Sequence, residues 1–175
     1  MILGANMIRK LQRKDVPRVA EIQVFGWRSA FRGMLSDELL FNERTVEKLM
    51  TFWHAKVDKN CPDVNDYVFV EDNMVKGIVT CGKCRDKDKK HAYELWGLYV
   101  EPLMKGGGIG TKLVEYCENE ARKNGCIEFC LWALEENIAA IEFYTKKLGY
   151  VLDGARAIRP PVNTNYQLRM VKKLI

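Results

Sequence analysis

Four glycines separate a strand-like segment from a helix-like segment in the stretch VEPLMKGGGIGTKL, which begins at Val100. Backbone N–H groups that feed a helix N-terminus bind phosphate, because the donors and the positive end of the helix dipole point at the anion. Glycine suits such a turn because a Cβ would hold the phosphate away and because part of the turn requires a positive φ. The pattern therefore predicts a phosphate cradle over residues 106–111. The alternative is a bare turn, in which so many glycines would cost stability without a ligand.

The two commonest phosphate-binding templates do not fit this turn. A P-loop counted from Gly106 places Thr111 where the second glycine must stand. A dinucleotide fingerprint counted from Gly106 also meets Thr111, and counted from Gly108 it meets Leu113. The next strand, IEFCLWAL, closes with Leu134 and carries no acidic residue at its end to bind a ribose. The spacing therefore excludes both templates.

A pair of cysteines raises the question of a metal site. Cys81 and Cys84 have the spacing of half a zinc site, and His91 follows nearby. A structural zinc ion takes four ligands, usually from two such pairs, and no second CxxC exists in the chain. The run VTCGKC also fits the end of a strand, where cysteine packs as a small apolar residue. We therefore expect no metal here.

Composition places the chain among single-domain globular proteins. It has 175 residues, of which 47% are hydrophobic and 10% aromatic, and a formal net charge of +5. The charges are dispersed, which disfavours nucleic-acid binding. No signal peptide or membrane-length apolar run is recognisable, so we expect a cytoplasmic protein with reduced thiols and no membrane contact. Met7 offers a second start, which predicts one domain over residues 7–175 and an extension over residues 1–6.

Helix and strand signals alternate along the chain as in an α+β domain. Asp15 is expected to cap a helix with Pro17 in its first turn, and Asp72-Asn73 is a hairpin signal. Further helices are predicted over residues 45–56, 108–123 and 137–149, and strands over 8–11, 67–71, 74–82, 92–100, 127–134, 150–154 and 166–174. The strand at 92–100 is apolar at nearly every position, as a central strand is. The charged run RDKDKKH at 85–91 is predicted to be a solvated connection.

The glycine turn resembles the coenzyme A loop of the GNAT superfamily of N-acetyltransferases. The superfamily pattern, [Q/R]-x-x-G-x-[G/A] after a V-x-P strand end, falls on Lys105, Gly108 and Gly110. Lys105 departs from the usual glutamine or arginine. Because that position contributes mainly a backbone contact in the superfamily, the departure leaves the resemblance intact.

A second segment carries the same resemblance independently. The chain reads N-I-A-A-I-E-F-Y-T-K-K-L-G-Y from Asn137 to Tyr150, similar to the superfamily's N-x-x-A-x-x-F-Y-x-x-x-G-F. The matched positions are Asn137, Ala140, Phe143, Tyr144 and Gly149, with one strand between the two motifs. Together with IRKLQRKDVPRVAEIQ and WRSAFRGMLSDELL, the resemblance covers nearly the whole chain from Met7.

The resemblance implies both a fold and an activity. The fold is a three-layer α/β/α arrangement of the α+β class, with a mixed, mostly antiparallel sheet of six to seven strands and a splayed pair of parallel strands. The activity is transfer of an acetyl group from acetyl-CoA to a primary amine, by direct attack in a ternary complex, most simply on a small molecule. Alternatives are a protein N-terminal or lysine acetyltransferase, and a non-catalytic module that binds coenzyme A. A homodimer is compatible with any of them.

The resemblance also assigns roles to individual residues. Glu94 would be the general base, or else a carboxylate paired with a basic neighbour, and Tyr144 would be the general acid, or else a residue of the helix's apolar face. The residues expected at coenzyme A are Leu98, Tyr99, Val100, Lys105, Gly106, Gly107, Gly108, Ile109, Gly110, Thr111, Asn137, Ala140, Phe143 and Tyr144. Those expected at the acceptor are Trp27, Phe31, Arg32 and Tyr166, although Trp27 and Phe31 are also spaced like two core residues. Cys117, Cys126 and Cys130 lie on core-facing elements, so no covalent cysteine intermediate is expected.

Overall fold

The computed structural model describes residues 6–59 and 61–174. Its strands are β1 (Met7–Lys10), β2 (Val64–Glu71), β3 (Met74–Lys83), β4 (Ala92–Val100), β5 (Glu128–Leu134), β6 (Val151–Arg159) and β7 (Val162–Lys173). Its α-helices are α1 (Val16–Phe31), α2 (Val46–Lys59), α3 (Ile109–Lys123) and α4 (Ile138–Glu142), and π-helical turns span Glu38–Glu43 and Phe143–Lys147. Most of the predicted helices and strands are present with similar bounds, and β6 and β7 are longer than predicted.

The strands form one mixed sheet in the order β1-β2-β3-β4-β5-β7-β6. β4 and β5 are parallel, whereas β1 with β2, β5 with β7 and β6 with β7 are antiparallel. The parallel register runs from Ala92 opposite Glu128 to Leu95 opposite Leu131, which are the first halves of the two strands. The predicted fold class, a mostly antiparallel sheet with one parallel pair, is confirmed. β4 is the central strand, as its apolar sequence indicated.

The chain divides into two compact units. The first comprises the described residues of Met1–Cys81 together with Gly97–Tyr116, and the second comprises those of Gly82–Trp96 together with Cys117–Ile175. Strand β4 therefore contributes its first half to the second unit and its last residues to the first.

In the first unit, helices cover both faces of β2. Val68 and Val70 lie in a buried cluster with residues of α1 and α2, such as Val19 and Trp53. The alternate residues Tyr67 and Phe69 face α3, where Tyr67 packs edge-on against Tyr116 at 4.8 Å and Phe69 lies under the Lys112 ammonium at 5.5 Å. Successive strand residues point to opposite faces, so α1 and α2 form one layer and α3 the other.

Gly77 of β3 lets α3 approach the sheet closely. A Cβ added at Gly77 would lie 3.0 Å from a methyl group of Leu113 and 3.1 Å from one of Ile109. Glycine in a strand interior often marks such a close approach. The first turn of α3 is therefore seated on β3.

In the second unit, β5 has an aromatic face and a thiol face. The Phe129 ring packs between Tyr93 and Tyr150, with centroid distances of 5.9 Å and 6.4 Å. On the other face, Cys130 is buried with Ala92 and Val171. Cys117 and Cys130 are buried, as predicted, whereas Cys126 is half-buried and lies between α3 and β5.

Three local features were predicted from short sequence signals: a hairpin turn, a helix cap and the helix after Asn137. The hairpin signal is confirmed, since Asp72 and Asn73 adopt φ values of 50° and 61° between β2 and β3. Asp15 does occupy the N-cap of α1, but its carboxylate accepts hydrogen bonds from Arg9 and from the Gln12 N–H instead of capping α1. The helix predicted from Asn137 to Gly149 is present as two consecutive helical segments, since α4 passes into the π-helical turn at Phe143.

The described residues contain neither a membrane-spanning helix nor a cluster of metal-ligating side chains. No helix there combines the length and apolar character needed to span a bilayer. No group of three or more His, Cys, Asp and Glu side chains there is arranged to hold a metal ion. The predicted extension over residues 1–6 falls almost wholly outside the described part, and it stays a prediction.

Candidate active site

The glycine turn in the first unit has the backbone that its sequence predicts. Gly106 and Gly108 adopt φ values of +88° and +80°, in the region that favours glycine. A Cβ added at either residue would meet nothing within 4 Å, so the space beside both is open. The turn leads into α3, whose first-turn bond runs from the Lys112 N–H to the Gly108 carbonyl at 3.0 Å. An open, glycine-lined turn therefore precedes a helix N-terminus.

Thr111 adds an independent sign of a polar ligand. Its Oγ1 is buried and lacks a hydrogen-bond partner among the described residues. An unsatisfied buried hydroxyl costs about 1–3 kcal/mol, and Thr111 lies in the first turn of α3. A ligand oxygen at the start of this helix would satisfy the hydroxyl.

The Lys105 side chain makes a contact within the first unit. Its Nζ donates a hydrogen bond to the Ser29 hydroxyl of α1 at 3.0 Å. The side chain thus ties the turn to α1. The expected contribution of Lys105 through its backbone stays a prediction.

The last residues of β4 join an aromatic cluster with α1. The Tyr99 hydroxyl accepts a hydrogen bond from Trp27 Nε1 at 2.9 Å, and burial raises the pKa of Tyr99. Trp27 packs edge-on against Phe31 at 5.1 Å, and the Arg44 guanidinium lies 3.9 Å from the Trp27 ring centre. Trp27 is only 3% exposed, so it is a core residue, which is one of the two interpretations that the sequence left open.

The remaining predicted acceptor residues differ in exposure and in unit. In the first unit Phe31 is half-buried, and Arg32 is exposed where α1 ends. Tyr166 belongs to the second unit, where it is exposed on β7 with the Arg156 guanidinium 3.4 Å from its ring centre.

Glu94 is fully buried on β4 and is held by Arg85. Its Oε2 accepts from the Arg85 backbone N–H and from Nε, both at 3.0 Å, and Oε1 accepts from Nη2. Arg159 approaches Oε1 at 3.8 Å. A carboxylate has about four acceptor positions, so Arg85 leaves roughly one of them, on Oε1. The interpretation of Glu94 as a paired carboxylate therefore has direct structural support, and one lone pair remains for a proton.

The charged run RDKDKKH at 85–91 is mostly exposed, as predicted for a solvated connection, but Asp86 within it forms ion pairs in the second unit. Asp86 accepts hydrogen bonds from Arg159, from Trp132 Nε1 at 2.8 Å and from Arg169 at 3.1 Å. Burial opposes ionisation of Asp86, but these hydrogen bonds, that of Arg159 first, outweigh it and hold the pKa of Asp86 below its usual range. Opposite charges within the unit, which the linear sequence does not pair, thus fix the loop beside Glu94.

We expect Asp86→Asn to lower the free energy of unfolding by about 3 kcal/mol at pH 7, because it breaks a largely buried ion pair from one side. The depressed pKa means that the wild-type contribution is present above the ordinary Asp pKa of about 3.9 and is lost as pH falls through the lower folded value. The difference in the free energy of unfolding between wild type and Asp86→Asn should therefore become smaller below about pH 4. Urea unfolding at several pH values measures it.

Asp58→Asn is the matched control for Asp86→Asn. Asp58 pairs with Arg13 while its side chain is 59% exposed, and such pairs contribute about 0–1 kcal/mol. Equal losses in the two variants would contradict the structural role of Asp86.

Tyr144 lies in the π-helical turn of the second unit. It is 8% exposed and packs edge-on against Phe143 at 5.0 Å and Tyr150 at 5.9 Å. The Tyr150 hydroxyl donates to Glu118 at 2.8 Å, and burial together with that carboxylate raises the pKa of Tyr150. Single π turns are frequent at functional sites. Tyr144 therefore lies in an irregular helical turn of the kind that is frequent at functional sites.

Asn137 has the capping role that the sequence allowed. Its Oδ1 accepts from the Ala140 N–H at 3.1 Å, which caps α4. Capping uses the amide oxygen, and a contact of the amide nitrogen with a ligand is compatible with it.

Sequence reasoning missed Arg85, Arg44 and Gln23. Arg85 holds Glu94, Arg44 stacks on Trp27, and Gln23 accepts from Trp53 Nε1 at 2.8 Å within the core. Only Gln23 left a signal, as a polar residue among the apolar residues of α1. Arg44 contacts Trp27, which is distant in sequence, and Arg85 contacts Glu94 across an irregular segment, so neither contact follows a sequence pattern.

Comparison with known proteins agrees with this fold. Residues 34–150 match the Acetyltransferase (GNAT) family. This match covers more than half of the chain, and the chain belongs to that family. An uncharacterized N-acetyltransferase of Methanocaldococcus jannaschii is 28% identical over 152 residues, which cover 85% of this chain and 62% of the relative. The chain thus spans less than two thirds of that relative's length.

Solved structures show the same fold at low sequence identity. The PaiA N-acetyltransferase of Thermoplasma acidophilum, solved in complex with coenzyme A, has a TM-score of 0.73 at 22% identity, over 97% of this chain and 99% of that chain. A ribosomal-protein-alanine N-acetyltransferase of Brucella melitensis has a TM-score of 0.69 at 22% identity, over 95% and 99% of the two chains. These likenesses establish the acyltransferase fold.

Proposed function

We propose that this chain is an acetyl-CoA-dependent N-acetyltransferase that acts on a primary amine of a small molecule, by direct attack in a ternary complex. The observation that carries the proposal is the glycine turn. Gly106 and Gly108 have positive φ there, and the buried Thr111 hydroxyl has no hydrogen-bond partner among the described residues. Family membership supports acetyl transfer. The PaiA relative, which shares the fold, was solved with coenzyme A. Residues 7–175 would form the catalytic domain of a cytoplasmic protein that can act as a homodimer.

The residues at the turn suit the pyrophosphate of coenzyme A. The backbone N–H groups of residues 106–111 would donate to it, together with the positive end of the α3 dipole and the Thr111 hydroxyl. The backbone of Leu98, Tyr99 and Val100 would pair with the pantetheine arm as an added strand does. Asn137 would contribute a further polar contact, with Ala140 and Phe143 beside it. Acetyl-CoA itself supplies the activated acyl group as a thioester.

Two side chains would move the protons. An alkyl ammonium with a pKa of about 10.4 must lose a proton before it can attack. The lone pair of Glu94 Oε1 that Arg85 does not use, which Arg159 approaches at 3.8 Å, would accept that proton directly or through water. The Tyr144 phenol would donate its proton to the departing thiolate. The usual pKa values, about 10 for a phenol and about 8.5 for a thiol, are close enough for this transfer.

Release of free thiol from acetyl-CoA tests the proposal. The panel of acceptors should contain amino acids, polyamines, aminoglycosides and peptides, one of them with an N-terminal alanine. We expect thiol release with a small primary amine. Release with peptides alone would replace the small acceptor by a protein. Tight binding of coenzyme A without release would show a binding module instead of an enzyme.

Glu94→Gln tests the proposed base. We expect kcat to fall by about 100-fold while the Kd for coenzyme A stays unchanged, because glutamine keeps a hydrogen-bond acceptor for Arg85 but takes up no proton. Steady-state kinetics and calorimetry measure the two quantities. Glu128→Gln is the control, since Glu128 lies on the neighbouring strand and pairs with Lys89 at 2.8 Å. Unchanged kcat in Glu94→Gln, with lowered stability, would leave Glu94 only its ion-pair role.

A further inference from the structure

Two thiols lie in contact beside Glu94 in the second unit. The Sγ atoms of Cys84 and Cys130 are 3.2 Å apart, and both residues are free cysteines. Cys130 is fully buried on β5, whereas Cys84, which follows β3, is half-buried. An oxidant in solution therefore reaches the pair through Cys84.

The two thiols differ in their electrostatic surroundings. Hydrogen bonds with the Cys130 thiol and with the Asp86 backbone lower the pKa of the Cys84 thiol, against burial and the Glu94 and Asp86 carboxylates, which raise it. The hydrogen bond between the two thiols and burial raise the pKa of Cys130. Thiolate is the reactive form of cysteine, and Cys84 is the more exposed thiol whereas Cys130 is buried, so Cys84 is the better placed nucleophile of the pair.

We propose that Cys84 is a site of reversible oxidation by peroxides and that Cys130 resolves it as an intramolecular disulfide. The Cys84 thiolate attacks one peroxide oxygen, the O–O bond breaks, and the other oxygen leaves with a proton as water or an alcohol, which gives a sulfenic acid. The Cys130 sulfur then attacks the Cys84 sulfur and the S–O bond breaks. The hydroxyl group leaves as water with the Cys130 proton. Two thiols lose two electrons in total, and one peroxide is reduced.

The disulfide would act on the Arg85–Glu94 pair. Cys84 immediately precedes Arg85, whose backbone N–H and side chain hold Glu94, and Cys130 lies directly opposite Glu94 in the parallel register. A disulfide bond of about 2.05 Å requires the two sulfurs to close by about 1 Å, which displaces the segment that carries Arg85. A misplacement of this size can cost about 100-fold in rate. This consequence rests on the proposed function, whereas the thiol chemistry does not.

Peroxide treatment of the intact chain tests the thiol chemistry. We expect a mass loss of two hydrogen atoms and a Cys84–Cys130 cross-link in the non-reducing peptide map, reversed by dithiothreitol. Cys130→Ser should instead leave a Cys84 sulfenic acid that dimedone traps. Cys126→Ser is the matched control, because Cys126 is half-buried and burial raises its pKa, and it should form the cross-link as wild type does. A cross-link between other cysteines, or slower reaction at Cys84 than at Cys126, would overturn the proposal.

An activity measurement tests the coupling to Glu94. Oxidised wild type should lose thiol-release activity by about 100-fold and regain it on reduction, whereas Cys84→Ser and Cys84→Ala should keep theirs. Full activity in the cross-linked protein would overturn the coupling. A cross-link that forms in a chain inactive in both redox states would count against the proposed function alone.

Discussion

Replacing Tyr144 with phenylalanine is expected to lower kcat by about 100- to 1,000-fold and to leave the Kd for coenzyme A unchanged. Phenylalanine keeps the edge-on packing with Phe143 and Tyr150, so the π-helical turn should retain its shape. What it removes is the phenolic proton that we assign to the departing thiolate. Steady-state kinetics with the acceptor found in the panel measure kcat, and calorimetry with coenzyme A measures Kd.

Tyr150→Phe is the control within the same aromatic cluster. It removes the hydrogen bond from Tyr150 to Glu118, which should cost about 1.5–3 kcal/mol of stability without changing turnover per folded molecule. The two variants thus separate a chemical loss from a structural one. Wild-type turnover in Tyr144→Phe would remove Tyr144 from the mechanism, whereas weaker binding of coenzyme A would make it a binding residue.

Gly108→Val is expected to raise the Kd for coenzyme A by about 100-fold, the equivalent of losing hydrogen bonds to a charged group. Gly108 adopts a φ of +80°, which a β-branched residue reaches only at a cost of about 1–3 kcal/mol. The new side chain would also project into the open space beside the turn, where we place the pyrophosphate. The loss should therefore appear in binding as well as in stability.

Gly125→Val separates these two effects. Gly125 follows α3 with a φ of +73°, and a Cβ there meets nothing within 4 Å, so the valine should bring similar backbone strain. Urea unfolding should show comparable losses of stability in the two variants, while calorimetry shows weaker coenzyme A binding in Gly108→Val alone. Equal affinities in both would mean that the turn does not hold the ligand.

Signals that lie within a few consecutive residues could be predicted from the sequence. The hairpin at Asp72-Asn73, the turn into α3 and the cap at Asn137 each depend on local backbone chemistry. The apolar residues of β4 likewise marked it as the central strand. These local signals, combined with the two family motifs, were enough to predict the fold class.

Features that depend on tertiary contacts could not be predicted in this way. The run RDKDKKH is mostly exposed, as its sequence indicates, but its ion pairs carry no local signal, since only the folding of β7 brings Arg169 to Asp86. Asp15 fits an N-cap by its position, yet Arg9 from β1 takes its carboxylate. The basic partner of Glu94 could not be identified for the same reason, since Arg85 contacts Glu94 across a loop. Ion pairs of this kind join residues whose order in the sequence carries no periodic signal.

The packing of α3 on Gly77 would have a kinetic consequence for binding of the proposed acyl donor. Leu113 and Ile109 lie where a Cβ of Gly77 would intrude, so the helix start is packed closely on β3. A preorganised receptor need not order itself on association, so its association rate is governed by encounter and not by a conformational step. Capture of the acyl donor by this turn would then be a fast, concentration-driven event, and tighter or weaker donors would differ mainly in how long they stay.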